Sequence, residues 1–286
     1  MIGQSNLIST INNLIEYNQY PRFSIIAGNK GQGKKTVVNY IAKKLNFTLV
    51  TSDIKIDSVR EIIESAYTQT QPIIYLFSDA DIMSINAQNS LLKVIEEPPN
   101  NAYFILTLSQ IENTLPTIRS RCQEFTMDNY TTEDLSLYLS QNHSNMNNST
   151  VDLILSLASN IYEIEELIKY NVEDYYQYCD KVVSNIFKVP SYNVFKIADK
   201  LNLKDDATKY DLTLFFNSFK QICFDKLVEE IDVNQIKIYT LMIQISSQYQ
   251  QQLKTQGINK TMLVDRWLLA LRTMWKRYNY DNTRNT

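Results

Sequence analysis

Residues Ile73 to Cys122 constrain the fold more than any other part of the 286-residue sequence. They read IIYLFSDADIMSINAQNSLLKVIEEPPNNAYFILTLSQIENTLPTIRSRC. Ile73 to Phe77 and Ala102 to Leu108 are apolar runs of strand length without alternation, the pattern of strands buried on both faces of a parallel sheet. Polar residues, Ser78-Asp79-Ala80-Asp81, follow the first run at the carboxyl edge, where open α/β sheets place their ligands. Between the runs, Ala87, Leu91, Val94 and Ile95 line one face of a helix that Ser84 can cap and Pro98-Pro99 must end. The stretch is a strand-helix-strand crossover unit.

A second segment has the context of a phosphate loop. Phe23 to Ala27 reads as a strand, and Gly28-Asn29-Lys30-Gly31-Gln32-Gly33-Lys34-Lys35-Thr36 follows it into a helix carried by Val37, Val38, Ile41 and Leu45. Against the pattern G-x-x-x-x-G-K-[ST], Gly28, Gly31 and Gly33 let backbone N–H groups converge on phosphate oxygens, and Lys34 reaches the outer phosphates. The position that should offer a hydroxyl to Mg²⁺ is Lys35, an ammonium that repels a metal. Thr36 comes one residue too late. The expectation is a phosphate-cradling loop without an ordinary Mg-ATP site; the plainer alternative is that the glycines serve only the tight turn.

Composition narrows the classes. A net charge of −3 excludes a generally basic nucleic-acid binder, so any DNA contact must use a local basic face. Cys122, Cys179 and Cys223 are far apart, which excludes a disulfide framework and a four-cysteine zinc site. No apolar run is of membrane-spanning length and the amino terminus has no signal-peptide pattern, so the expectation is a soluble, cytoplasmic protein with no membrane partner. Frequent tyrosine (19) and few glycines (5), with much asparagine, suggest an AT-rich genome, phage or small bacterial.

The order Asp81, Ala87-Gln88-Asn89, Leu91-Leu92-Lys93, Glu96-Glu97-Pro98-Pro99, Phe104-Ile105-Leu106-Thr107 and Thr117-Ile118-Arg119-Ser120-Arg121-Cys122 resembles the core of AAA+ sliding-clamp-loader subunits. These are the bacterial DNA polymerase III gamma and delta-prime type and the small subunits of replication factor C. The resemblance covers roughly the first 170 residues. It implies an α/β AAA+ P-loop domain with a parallel five-stranded sheet over 1–128, a small helical lid over 129–171 and an all-α collar for oligomerisation over 172–286. Some bacterial relatives carry a zinc module, which this chain lacks.

The resemblance also assigns roles. Met1-Ile2-Gly3-Gln4 is similar to the box that lies against adenine. Aligned on Ala80-Asp81, the metal-ordering aspartate becomes Ser78 and the glutamate that polarises the attacking water becomes Asp79, one methylene shorter; a one-residue shift would make Asp79 the metal residue and Ala80 the base, which is worse. Thr107 matches the sensor-like residue at the end of the fourth strand. Arg60, in a stretch similar to the family's "I-D-x-I-R-E-L" with Asp57 or Ser58 as cap, matches an arginine that faces DNA. Arg121 matches the arginine that reaches a neighbouring subunit's ATP. Where relatives carry a lid arginine, this chain has Tyr162.

Those departures imply a subunit that can bind ATP but hydrolyses it poorly. Its implied partners are other clamp-loader subunits, the sliding clamp and primer-template DNA. Two rivals remain: the ATP-hydrolysing motor subunit itself, with Asp79 and Lys35 in an altered site, and a P-loop nucleoside or shikimate-type kinase. The lid shows no arginine cluster of the kind such kinases use. Downstream, His143 falls in a polar loop and is expected to be exposed. Helical stripes at Leu212 to Cys223, Ile238 to Tyr249 and Leu263 to Tyr278 read as a bundle core, and Asp281 to Thr286 as a frayed tail.

Overall fold

A computed structural model describes residues 2–190, 195–196, 201, 211–253, 255 and 257–284. The chain forms two compact units, Met1–Gln141 with Asn160–Tyr162, and Asn142–Ser159 with Glu163–Thr286.

In the first unit five strands, β1 (Phe23–Ala27), β2 (Thr48–Ser52), β3 (Ile73–Phe77), β4 (Ala102–Leu108) and β5 (Gln123–Thr126), form one sheet in the order β2-β3-β4-β1-β5. All four pairings are parallel. Helices α1 (Ser5–Glu16), α2 (Lys34–Leu45), α3 (Ile56–Tyr67), α4 (Ile85–Glu96) and the short α5 (Pro116–Arg119) connect or flank them. The absence of alternation in the central strands has a direct cause: successive residues enter two different cores. Ile25, Phe77 and Phe104 pack with Leu91 and Val94 on one face, while Ile26, Leu76 and Ile105 pack with Val37 and Ile41 on the other. The edge strand β2 keeps Thr48 and Thr51 exposed.

Ser84 caps α4, its Oγ accepting from the Ala87 N–H at 3.2 Å. The cap of α3 differs from expectation. Lys55 holds the N-cap position with no side-chain bond, and Asp57 and Ser58 lie inside the first turn. Ile54 and Ile56 pack against the core and fix where the chain turns into the helix. Helix α6 (Thr132–Asn142) opens with a reciprocal box, Thr131 Oγ1 accepting from Asp134 N–H at 3.2 Å and Asp134 Oδ2 accepting from Thr131 N–H at 3.0 Å.

The second unit is helical throughout its described residues, with α7 (Asn148–Leu157), most of α8 (Ile161–Lys169), α9 (Val172–Asn185), α10 (Leu212–Glu229), α11 (Val233–Gln252) and α12 (Lys260–Arg284). Its centre is aromatic: Phe215, Phe216 and Phe219 meet the Trp267 ring edge-on at 5.7, 5.2 and 5.0 Å, and Trp267 Nε1 donates to Ser246 Oγ at 3.0 Å. The expected stripe on α11 is offset. Ile238, Met242 and Ser246 are the buried positions, whereas Ile245 and Tyr249 are half-buried. His143 is half-buried and meets Glu165 Oε1 at 2.8 Å through Nε2, which corrects the expectation of an exposed loop histidine. Residues 281–284 continue α12 and are not a frayed tail; residues 285–286 lie outside the described residues. No helix among the described residues is long and apolar enough to cross a membrane.

Candidate functional site

The loop between β1 and α2 has the geometry of an anion cradle. Gly31 and Gly33 adopt φ of +86° and +89°, which side-chain-bearing residues resist. Among the described residues no backbone carbonyl accepts from the N–H groups of Gly31, Gly33, Lys34 or Lys35, leaving a ring of donors at the positive end of α2. Lys34 is 8% exposed, its Nζ donating to the Gly28 and Asn29 carbonyls at 2.7 and 3.0 Å and to Ser109 Oγ at 2.9 Å. Burial lowers the pKa of this ammonium below its ordinary value, while the carboxylates of Asp79 and Asp81 act in the opposite direction.

The loop is braced from outside by residues that motif reading does not supply. Gln32 is buried; its Oε1 accepts from the Asn29 N–H at 2.6 Å and its Nε2 donates to Asn129 Oδ1 at 2.7 Å. Tyr130 donates through its hydroxyl to the Gln32 carbonyl at 2.9 Å. A Cβ at Gly28 would lie 2.4 Å from Gln32 Oε1, so a side chain there would displace the Gln32 amide from its bond to Asn29. A Cβ at Gly31 would likewise meet Asn160 Oδ1 at 2.5 Å and Tyr162 Cβ at 2.9 Å, and the Lys30 ammonium lies 5.2 Å from the Tyr162 ring centroid. Tyr162 is therefore at the phosphate loop, where it brings an aromatic face and no guanidinium. Gln4, from the opening box, is fully buried and pairs with the backbone of Asp128, donating to its carbonyl at 2.8 Å and accepting from its N–H at 3.1 Å.

At the exit of β3, Asp79 is exposed with φ of +52°, and its N–H donates to Thr107 Oγ1 at 3.1 Å. The sensor-like hydroxyl and the expected base are thus joined. Ser78 Oγ is sealed without a hydrogen-bond partner among the described residues. Asp81, which the sequence marked only as part of a motif, is 9% exposed; Oδ2 accepts from the Gln110 N–H at 3.1 Å and Oδ1 is buried without a hydrogen-bond partner among the described residues. Lys35 and Thr36 are exposed. The residues present fit a phosphate chain at the loop N–H groups and Lys34. For a magnesium ion the loop and the β3 exit offer the exposed Lys35 ammonium and the sealed Ser78 hydroxyl, a poor donor pair for a hard cation, and no cluster of three His, Cys, Asp or Glu among the described residues could hold a metal.

Arg121 lies at the other end of the sheet. The phosphate loop leaves the carboxyl end of β1, whereas Arg121 precedes the amino end of β5, and these strands are parallel with Ser24 opposite Gln123. The separation is a strand length, about 13 Å at ~3.3 Å per residue. Arg121 Nη2 pairs with Glu96 Oε1 at 3.2 Å and Nη1 donates to the Thr117 carbonyl at 3.1 Å, both partners lying on the same edge. Arg60 is exposed on α3 and makes no ion pair among the described residues, with Asp57 and Glu64 one turn to either side.

The family described as "DNA polymerase III, delta subunit" matches residues 47–131. DNA polymerase III subunit gamma of Buchnera aphidicola subsp. Schizaphis graminum is 27% identical over 170 residues, covering 49% of this chain and 47% of that protein. Replication factor C subunit 3 of Schizosaccharomyces pombe is 31% identical over 140 residues, 44% of this chain and 40% of that protein. Over about half its length the chain is thus similar to clamp-loader subunits of the DNA polymerase III gamma and replication factor C type. The chain spans less than half the length of these curated relatives. Among solved structures, a DNA polymerase III gamma subunit-related protein from Thermotoga maritima superposes with a TM-score of 0.52 at 16% identity, covering 92% of this chain and 98% of that one. The Thermotoga maritima RuvB Holliday junction branch migration motor gives the same TM-score at 18% identity over 80% and 76%. At such identities the likeness is one of fold, and the clamp-loader type rests on the sequence matches.

Proposed function

We propose that this chain is a clamp-loader subunit of delta-prime character, which assembles with ATPase subunits to place a sliding clamp on primer-template DNA and lends Arg121 to a neighbour's ATP. The carrying observation is the placement of Arg121 on the sheet edge opposite its own phosphate loop. A guanidinium so placed is turned away from its own phosphate loop, so the phosphate it serves in this reading is a neighbour's, where its fork stabilises charge on the transferred phosphoryl group once it leaves Glu96. The chain's own site cradles phosphate but lacks the groups for turnover: Lys35 stands at the metal hydroxyl position, Ser78 at the metal carboxylate, and Tyr162 at the lid arginine. In this reading the three parts are the AAA+ domain (1–128), lid (129–171) and collar (172–286), and Arg60 meets DNA within the assembled ring.

The test is reconstitution with the ATPase subunits and clamp of the same organism. Omitting this chain should abolish clamp loading, and the chain alone should hydrolyse ATP negligibly. Steady turnover by the pure chain that disappears in Lys34→Ala would instead make it the motor subunit.

A further inference from the structure

The offset of the α11 stripe leaves two apolar residues outside the Trp267 centre. Ile245 and Tyr249 are half-buried, and with Leu269 and Met274 of α12 they line an open groove of about 450 Å³ along the two helices. Leu269 is 49% exposed, because it follows the buried Trp267 by two residues and so comes out on the other side of the helix. Arg266 and Arg277 also line the groove. Their separation is close to three full turns, which sets both on one face of α12, about 16 Å apart at ~1.5 Å per residue, with Leu269 and Met274 between them. Both are exposed and neither makes a hydrogen bond or ion pair among the described residues. Arg272 of the same helix shows the contrast, its Nη1 donating to the Ile186 and Val189 carbonyls at 3.2 and 2.5 Å.

An exposed arginine alone needs no partner, since water serves it. This pair is set apart by the apolar floor between its members and by the charge of the elements that carry it. Helix α11 contains one lysine and neither Asp nor Glu, and α12 carries six Lys or Arg against two Asp, in a chain whose net charge is −3. No carboxylate is among the residues lining the groove. Such a surface is complementary to a segment with apolar residues at its centre and carboxylates toward both ends, a spacing that an amphipathic helix supplies. A second copy of the same face does not fit, because its arginines meet like charge. Duplex DNA engages cations through its phosphates and leaves the apolar floor unused.

We propose that the α11–α12 groove docks an acidic amphipathic helix of a different polypeptide, with its apolar stripe on Ile245, Tyr249, Leu269 and Met274 and its carboxylates on Arg266 and Arg277. The surface involves neither Arg121 nor the phosphate loop, so its test and that of the functional reading are separate.

The probe is a synthetic fluorescein-labelled helix with leucine at heptad a and d positions and glutamates spaced as Arg266 and Arg277 are, titrated with the full chain by fluorescence anisotropy. Binding should saturate and weaken with salt, and glutamine in place of both glutamates should weaken it about tenfold. Arg266→Glu combined with Arg277→Glu should lose the acidic peptide to a similar degree and gain the peptide that carries lysine instead, an exchange that no general loss of folding produces. Leu269→Ser, at an exposed position, should weaken binding without altering that exchange. Equal affinity for the glutamate and glutamine peptides overturns the proposal, as does failure of the charge exchange. Self-association of the wild-type chain that Leu269→Ser abolishes would assign the face to a second copy, and displacement of the peptide by a duplex oligonucleotide would assign it to nucleic acid; either result also overturns it.

Discussion

At the residue scale the candidate site was legible where the chemistry is local and hidden where packing decides. Gly31, Gly33 and Lys34 announce themselves because a positive φ and a phosphate-directed ammonium need those residue types at that spacing. Gln32, Ser109 and Asp81 do not, since each acquires its role from a partner far along the chain, such as Asn129 for Gln32 or Gln110 for Asp81. Lys34 carries a pH signature. Burial depresses its folded pKa, so below that pKa both folded and unfolded chains hold the proton and the cost of burial is constant. Between the folded value and the ordinary lysine value the unfolded chain binds more protons, and stability rises with pH. Nucleotide affinity should run the other way, falling as the ammonium is lost. Titration of a fluorescent ATP analogue from pH 7 to 10 should show affinity declining before an exposed lysine would titrate; a flat profile would remove Lys34 from phosphate binding. The thiols give a second check. Burial raises the thiol pKa of Cys179 to about 12 and that of Cys223 as well, and both side chains are enclosed, so alkylation of these two at pH 8 should proceed only as the protein unfolds, whereas the half-buried Cys122 is reachable in the native state. Rapid labelling of Cys179 or Cys223 in the native state would contradict this packing.

At the scale of elements, apolar runs and caps carried most of the information. The strands β3 and β4 were visible because both faces of the sheet are buried, and Ser84 and Thr131 cap as their positions suggest. Removing either oxygen, by Ser84→Ala or Thr131→Ala, should cost about 1 kcal/mol in urea unfolding. The start of α3 was misread because Asp57 and Ser58 are good capping types, yet the packing of Ile54 and Ile56 sets the entry earlier. That leaves a helix without a side-chain cap and makes a prediction of opposite sign. Lys55 is extended at φ −67° and ψ 146°, a conformation any N-cap residue accepts, so Lys55→Ser should stabilise the protein by roughly 0.5–1 kcal/mol. A loss of stability would show that Lys55 has another role. The offset on α11 has a similar origin, since Ile245 and Tyr249 satisfy helical spacing but Met242 and Ser246 face the Trp267 centre.

At the scale of the whole molecule, the order and parallel register of the sheet turn a list of motifs into an argument about assembly. The phosphate loop and Arg121 lie at opposite ends of the parallel strands, which is what the proposed role of Arg121 toward a neighbour's phosphates requires. With a net charge of −3, the isolated chain should bind primer-template DNA weakly and with steep salt dependence, and Arg60→Ala should weaken DNA stimulation of the assembled complex. Unchanged stimulation would remove Arg60 from the DNA path. The central claim meets its most direct test in ATP turnover by the reconstituted complex carrying Arg121→Ala or Arg121→Lys in this chain alone. Both substitutions should leave assembly intact by sedimentation. Turnover at the neighbouring site should fall by roughly a thousandfold or more in Arg121→Ala, and lysine should not restore it because it lacks the fork. Full turnover with Arg121→Ala in an intact complex would contradict the account.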